Sequence, residues 1–233
     1  MSAHADHHHH GPITDWPLDL EMGKASPGKI AMWFFLLSDA MSFGGLLLGY
    51  AILRGRADQW VAPGEPLEFG INFTGGLTFL LICSSVTMVL AVANAQENNR
   101  KGALKFLLLT ALGGVLFLCG QMQEYFGAFS FIFGHPGGLS GYGQDCAAAG
   151  AHCLTFGASP RATTFYVITG FHGLHVFSGT IYLLLTALAT ARGKYDNGNY
   201  SPIEICGLFW HFVDLVWILV FTFVYLIPLP EGG

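Results

Sequence analysis

Charge is what this chain has least of. Asp, Glu, Lys and Arg make up only 11% of its 233 residues, against about 25% in an ordinary soluble domain. The stretch 162–191 contains none of the four. A water-soluble globular fold is therefore excluded. The net charge of -5 also excludes the basic surface that nucleic-acid binding requires, so no nucleic-acid partner is expected. Other signatures are missing too: a Cys-x-x-Cys-His haem site, a phosphate-binding glycine loop and a Ser/His/Asp arrangement. The glycines from Gly137 to Gly143 precede no helix with a Lys and read as a loop. No internal repeat or second domain stands out. No secretory leader is expected, because the N-terminus is polar and His-rich and no cleavage site follows the first apolar run.

What is present is apolar. Hydrophobic residues reach 52%, including 20 Phe, and the mean hydropathy is +0.50. Five apolar runs cover about 29–53, 73–95, 104–126, 162–191 and 205–227. About 20 such residues cross a bilayer as a helix, so the expected fold is an all-α membrane protein, a bundle of five transmembrane helices. The expected organisation is a polar His-rich leader over 1–27 and one transmembrane domain over 28–233. The connections are 54–72, 96–103, 127–161 and 192–204, with Pro63, Pro66 and Pro136 marking irregular loops. With the N-terminus inside, inner segments hold Lys24, Lys29, Arg100, Lys101, Lys105, Arg192 and Lys194, and outer segments hold Arg54, Arg56 and Arg161. The positive-inside rule then predicts the N-terminus inside and the C-terminus outside.

The fourth run, with TGFHGLHVFSGT at its centre, is where the ionisable groups concentrate. His172 and His175 lie three residues apart on one helix face. Gly170, Gly173 and Gly179 remove bulk beside them, which predicts close helix neighbours and a fourth helix at the buried centre of the bundle. The intramembrane ionisable set is Asp39, Glu124, His172, His175, His211 and Asp214, with no Lys or Arg among them. The acids must be protonated, paired with His or hydrated, since an isolated charge at this depth costs several kcal/mol. Asp39, about ten residues into its helix, is expected to be neutral. His211 and Asp214 share a face between Trp210 and Trp217; a helix-to-helix polar clamp and a part in proton movement are both open readings. A metal would need three or four converging ligands. The candidates are His172, His175, His211 and Glu124; nothing in their spacing establishes convergence, and no metal is expected.

Three further features carry expectations. Cys146 and Cys153 fall in the outer loop and are disulfide candidates in an oxidising periplasm; Cys83, Cys119 and Cys206 read as small buried hydrophobes. His4 and His7 to His10 in the leader leave open a solvated tail, a cloning remnant, a metal site or a proton relay. Ala40, Gly44, Gly45 and Gly49 form a small-residue strip that predicts close packing of the first helix on another, in this chain or in a partner.

The segments TFYVITGFHGLHVFSGT (164–180) and FWHFVDLVWILVFTFVYLI (209–227) resemble the last two helices of subunit III of haem–copper respiratory oxidases. MWFFLLSDAMSFGGLLLGY (32–50) resembles that family's helix with a buried acid, and QMQEYFG (121–127) carries its recurring acid at Glu124. The similarity spans nearly all of 29–227. Asp39 stands where the family usually has Glu. The chain is similar to the five-helix bacterial form rather than the seven-helix one, and its loop 127–161 is longer than usual.

The resemblance implies a non-catalytic subunit of a proton-pumping terminal oxidase, embedded in the bacterial inner membrane. It implies no cofactor in this chain, haem and copper in partner subunits, and bound phospholipid in a cleft. It implies packing beside the catalytic subunit I and other oxidase subunits, with a role in proton uptake and in the lifetime of that subunit. It implies a carbodiimide-reactive carboxyl at Asp39; the donor stays open between cytochrome c, which is favoured, and a quinol, because the donor binds elsewhere. Two other readings stay open: an accessory protein of a nitric oxide reductase, and a proton or ion transporter built on the Asp/Glu/His set.

Overall fold

The computed structural model describes residues 26–61, 71–126, 154, 156–157, 159–195 and 200–227. The leader up to residue 25, most of the loop 127–161, Cys146 and Cys153 lie outside these residues. Five helices are long and apolar enough to cross a membrane: α1 (Pro27–Arg56), α2 (Ile71–Gln96), α3 (Arg100–Phe126), α4 (Pro160–Ala191) and α5 (Ser201–Val220), which continues as a π-helical turn, Phe221–Leu226. There is no strand among the described residues.

The helices start where capping chemistry puts them, often a turn beyond the apolar run. Ser26 caps α1, its side chain accepting from the Lys29 N–H, with Pro27 in the first turn. Ser159 caps α4 in the same way, accepting from Ala162 N–H, with Pro160 following. Both use a side-chain oxygen for an orphan amide and a ring that prefers the first turn. Asn99 starts α3 by accepting from Gly102 N–H at 3.1 Å. Asn98, at φ 56, supplies the left-handed turn between α2 and α3 that Asn tolerates better than most residues. The predicted connection 96–103 therefore shrinks to three residues, and the polar turn around Arg100 and Lys101 is already helical.

Four helices form a ring, α2 on α3, α3 on α4, α4 on α5 and α5 on α2, and α1 lies over α4 and α5. Contacts fix which ends meet. The start of α1 reaches α5 through the Lys29–Glu204 ion pair, and Gln96 at the end of α2 bonds Glu204 at 3.3 Å. Arg100 at the start of α3 donates to Thr190 O (2.9 Å) and Ala191 O at the end of α4, placing a cation on the negative end of that helix.

Lipid is as apolar as Leu, so packing and interhelical hydrogen bonds must hold the bundle. Thr87 and Thr110 pair at 2.7 Å between α2 and α3. Trp210 Nε1 donates to Ser84 Oγ at 3.1 Å and Trp217 Nε1 to Thr78 Oγ1 at 3.0 Å, tying α5 to α2. These two indoles sit at the centre, each 1% exposed. The buried centre of the bundle is α5 rather than α4: half of its spanning window is buried, against 39% for α4 and 17% for α1. Both helices have three neighbours, but α4 leaves a longer outward stripe, through Leu174, Leu185 and Leu188, than α5 does through Leu215.

The glycines divide sharply. A Cβ on Gly114 would lie 2.5 Å from Thr180 Oγ1 and 2.6 Å from the Trp210 ring, and one on Gly173 would meet the Gln121 amide at 2.8 Å. Gly179 is close to Phe209 and Trp210. Gly170 departs from expectation, with nothing within 4 Å of its would-be Cβ. Gly44, Gly45 and Gly49 likewise meet nothing, so the strip on α1 packs on no described helix of this chain. Gly114→Val is expected to destabilise by about 1–3 kcal/mol through overpacking, while Gly45→Ala leaves the isolated subunit unchanged. Thermal unfolding of the two variants in detergent checks the contrast.

Candidate functional site

Asp39 and His175 are brought together by α1 and α4. His175 Nε2 lies 3.1 Å from Asp39 Oδ1, and Nδ1 lies 2.8 Å from Phe171 O one turn back. An imidazole that donates one ring N–H to that carbonyl presents its other nitrogen to the acid. Of the three states open to a membrane-embedded carboxyl, Asp39 is therefore paired with His. Asp39 is 8% exposed, and its second oxygen, Oδ2, is buried without a hydrogen bond. Phe43 of α1 roofs the pair, its ring 5.2 Å from His175 and 5.0 Å from Phe171.

His172 lies on the same helix but in other company. It is fully buried, between Phe117 (ring centroids 5.8 Å), Trp217 (4.8 Å) and Phe43 (6.3 Å). Neither ring nitrogen has a hydrogen-bond partner. Its role in the packing is that of a flat ring among aromatics.

Glu124 is a second, separate centre. Its Oε1 accepts from Thr74 of α2 at 2.9 Å, and Tyr225 OH lies 3.0 Å and 3.1 Å from its two oxygens. The π-helical turn carries Tyr225. Such a turn is a common device where a side chain must be re-aimed. Thr74 and Tyr225 were not legible as partners, because a π turn has no simple sequence signal and they come from distant helices. Beside this centre, Gln121 donates to Thr169 O (2.7 Å) and to Tyr125 OH (2.9 Å), joining α3 to α4.

Asp214 is a third centre: His211 is an electrostatic neighbour, and the hydrogen bond comes from α2. Ser85 of α2 donates to Asp214 Oδ2 at 2.7 Å, while Oδ1 is buried and unpartnered. His211 lines a separate cavity between α1, α2 and α5.

The six ionisable groups are thus distributed over the bundle rather than gathered. Among the described residues no three His, Cys, Asp or Glu side chains are grouped to hold a metal ion. The donor chemistry gives the reason. His175 is engaged at both nitrogens, Glu124 by two hydroxyls, and His172 is enclosed by rings.

A groove of about 410 Å³ opens between α3 and α4. Leu118, Met122, Leu174 and Phe177 form its walls, Gly170 and Gly173 widen it, and Gln121 and Tyr125 supply the polar groups. Sequence reasoning named Gly170 as a packing position. In the structure it lines the groove.

Fold and site together define an integral membrane protein built from five helices, its acids Asp39, Glu124 and Asp214 each held by a partner on another helix. The family description "Cytochrome c oxidase subunit III" matches residues 147–228. The chain is 35% identical over 197 residues to cytochrome c oxidase subunit 3 of Synechocystis sp. (strain ATCC 27184 / PCC 6803 / Kazusa), covering 83% of this chain and 72% of the relative. It is 31% identical over 199 residues to cytochrome c oxidase subunit 3 of Thermostichus vulcanus, covering 85% and 86%. The chain belongs to the cytochrome c oxidase subunit III family, whose members are subunits of haem–copper oxidases. It is an integral protein of the bacterial plasma membrane and part of an oxidase complex.

Proposed function

We propose that this chain is a non-catalytic subunit III that supports proton uptake by, and the working lifetime of, a proton-pumping terminal oxidase. The observation that carries the reading is the Asp39–His175 pair, an acid and a base held together in mid-helix with one carboxylate oxygen unpartnered. Ionisable residues at membrane depth mark functional positions by default. The chain itself performs no redox step; haem and copper belong to its partners. Its neighbour is the catalytic subunit I, and the unpacked strip Gly44, Gly45 and Gly49 on α1 suits contact with another chain's helix. Cytochrome c is preferred to a quinol as donor on the names of the relatives. The His-rich leader and Lys29 belong inside and the C-terminus outside, on the charge balance. Cys146 and Cys153 remain disulfide candidates in the outer loop. The groove between α3 and α4 suits a phospholipid acyl chain, being apolar along its walls.

A transporter reading has less support, because Asp39, Glu124 and Asp214 each keep their own partner. Gentle solubilisation separates the two. An oxidase subunit is expected to co-purify with haem absorbance and donor-dependent O2 uptake, and a colourless, fully folded preparation would count against the assignment. In the coloured complex, a hydrophobic carbodiimide is expected to label Asp39 ahead of the surface residue Asp58. Peptide mapping that finds Asp58 labelled first would remove Asp39 from its proposed role.

A further inference from the structure

One face of α5 carries Glu204, His211 and Asp214, spaced seven and three residues apart, so that they line up along about 15 Å of helix. The facing side of α2 runs the opposite way, with Gln96 bonded to Glu204 at the start and Ser85 bonded to Asp214 at depth. Between these two cross-links α2 stays close to α5, with Met88 and Val92 packed over Gly207, and the space lies on the side toward α1. A cavity of about 390 Å³ opens there, lined by Lys29, Trp33, Val89, Val92, Glu204, Gly207, Leu208 and His211. Gly207 contributes no side chain, and the ion pair Lys29–Glu204 stands at the end where the helices start.

We propose that this cavity is an aqueous inlet, through which water and hydrated protons from the inner phase reach His211 and the Asp214 carboxyl. Unlike the groove between α3 and α4, whose polar groups are an amide and a phenol, this one has an ion pair and an imidazole in its wall. Water is favoured where a roomy cavity offers several polar partners. One turn beyond His211, Asp214 Oδ1 is buried and has no hydrogen-bond partner. A carboxylate oxygen left dry in that state is costly, and water entering past His211 removes the cost. The charged and titratable groups facing His211 are Lys29 from α1 and Glu204 and Asp214 from its own helix. From α2 the cavity wall receives Val89 and Val92, neither of them titratable. The inlet opens to the inner phase on the orientation proposed above.

Substituted cysteines in the whole oxidase complex test this. In sealed inside-out vesicles, a charged, membrane-impermeant thiosulfonate is applied and the modified peptide is identified by mass. The thiolate is the reactive form and forms poorly in apolar surroundings. His211→Cys and Leu208→Cys are each expected to react about tenfold or more faster than Leu215→Cys, which lies on the outward face of the same helix at 57% exposure. Using two probe positions guards against one variant failing to fold. Labelling of both at the Leu215→Cys rate would overturn the inlet and make the cavity a lipid site. Fast labelling only in right-side-out vesicles would overturn its inner opening, and with it the assigned orientation, while a colourless preparation marks the separate failure of the oxidase reading.

Discussion

Replacing Glu124 by leucine is expected to destabilise the folded chain by about 3–5 kcal/mol, since hydrogen bonds to an ionisable group contribute roughly 1.5–3 kcal/mol each. Two elements depend on this carboxyl. Thr74 brings α2 to it and Tyr225 brings the π-helical turn. All three side chains lie inside the bundle, where no bulk water replaces a lost partner. Glu124→Gln keeps an acceptor in the same place and should cost about 1 kcal/mol. Tyr225→Phe removes the hydroxyl and keeps the ring against Phe165 (centroids 5.6 Å), so it should fall between the two. Unfolding midpoints of the detergent-solubilised variants give the order Gln, Phe, Leu. A leucine variant as stable as the glutamine variant would mean that volume alone matters at position 124.

The contrast between Glu124 and the rest of the bundle says what a sequence of this kind carries. Five long apolar runs were legible because crossing a bilayer demands length and low charge, and both can be read off residue by residue. The caps at Ser26 and Ser159 and the turn at Asn98 are equally local. The rotation of each helix about its axis is not local. In a soluble helix the polar stripe marks the outside, but here lipid and core are both apolar, and Leu serves either side. Thus Leu36 is buried and Leu37 is 57% exposed with nothing in their chemistry to separate them. The glycines mislead for the same reason. Gly173 and Gly179 meet neighbours, whereas Gly45 and Gly170 open outward. Polar pairs suffer most, because each needs two rotations to be known. Spacing suggested His211 for Asp214, and the structure supplies Ser85 from a helix more than a hundred residues away.

The second large effect concerns the attachment of α1. With only 17% of its spanning window buried, α1 has little packing to lose, and the Asp39–His175 pair is its principal polar anchor at depth. His175→Leu would leave the Asp39 carboxyl enclosed without a base. Leaving a buried polar group without its partner costs about 1–3 kcal/mol, enough to loosen α1 from α4 and α5 while Lys29–Glu204 still holds its start. Asp39→Leu should cost less, because His175 retains its bond to Phe171 O and its contact with Phe43. The double variant Asp39→Leu/His175→Leu should recover most of the loss, since replacing both partners of a buried hydrogen bond by apolar groups of similar shape is often nearly neutral. Non-additivity of about 1–3 kcal/mol in this cycle is the signature of direct coupling. Asp39→Asn keeps shape and hydrogen bonding without charge and is expected to preserve the fold. Assembled into the oxidase, it should leave O2 reduction intact and shorten the period of activity during turnover or lower the proton-pumping yield. Additive single effects would show that the two side chains are neighbours without being partners. Loss of O2 reduction in an assembled, haem-replete Asp39→Asn complex would show that this subunit takes part in the chemistry itself.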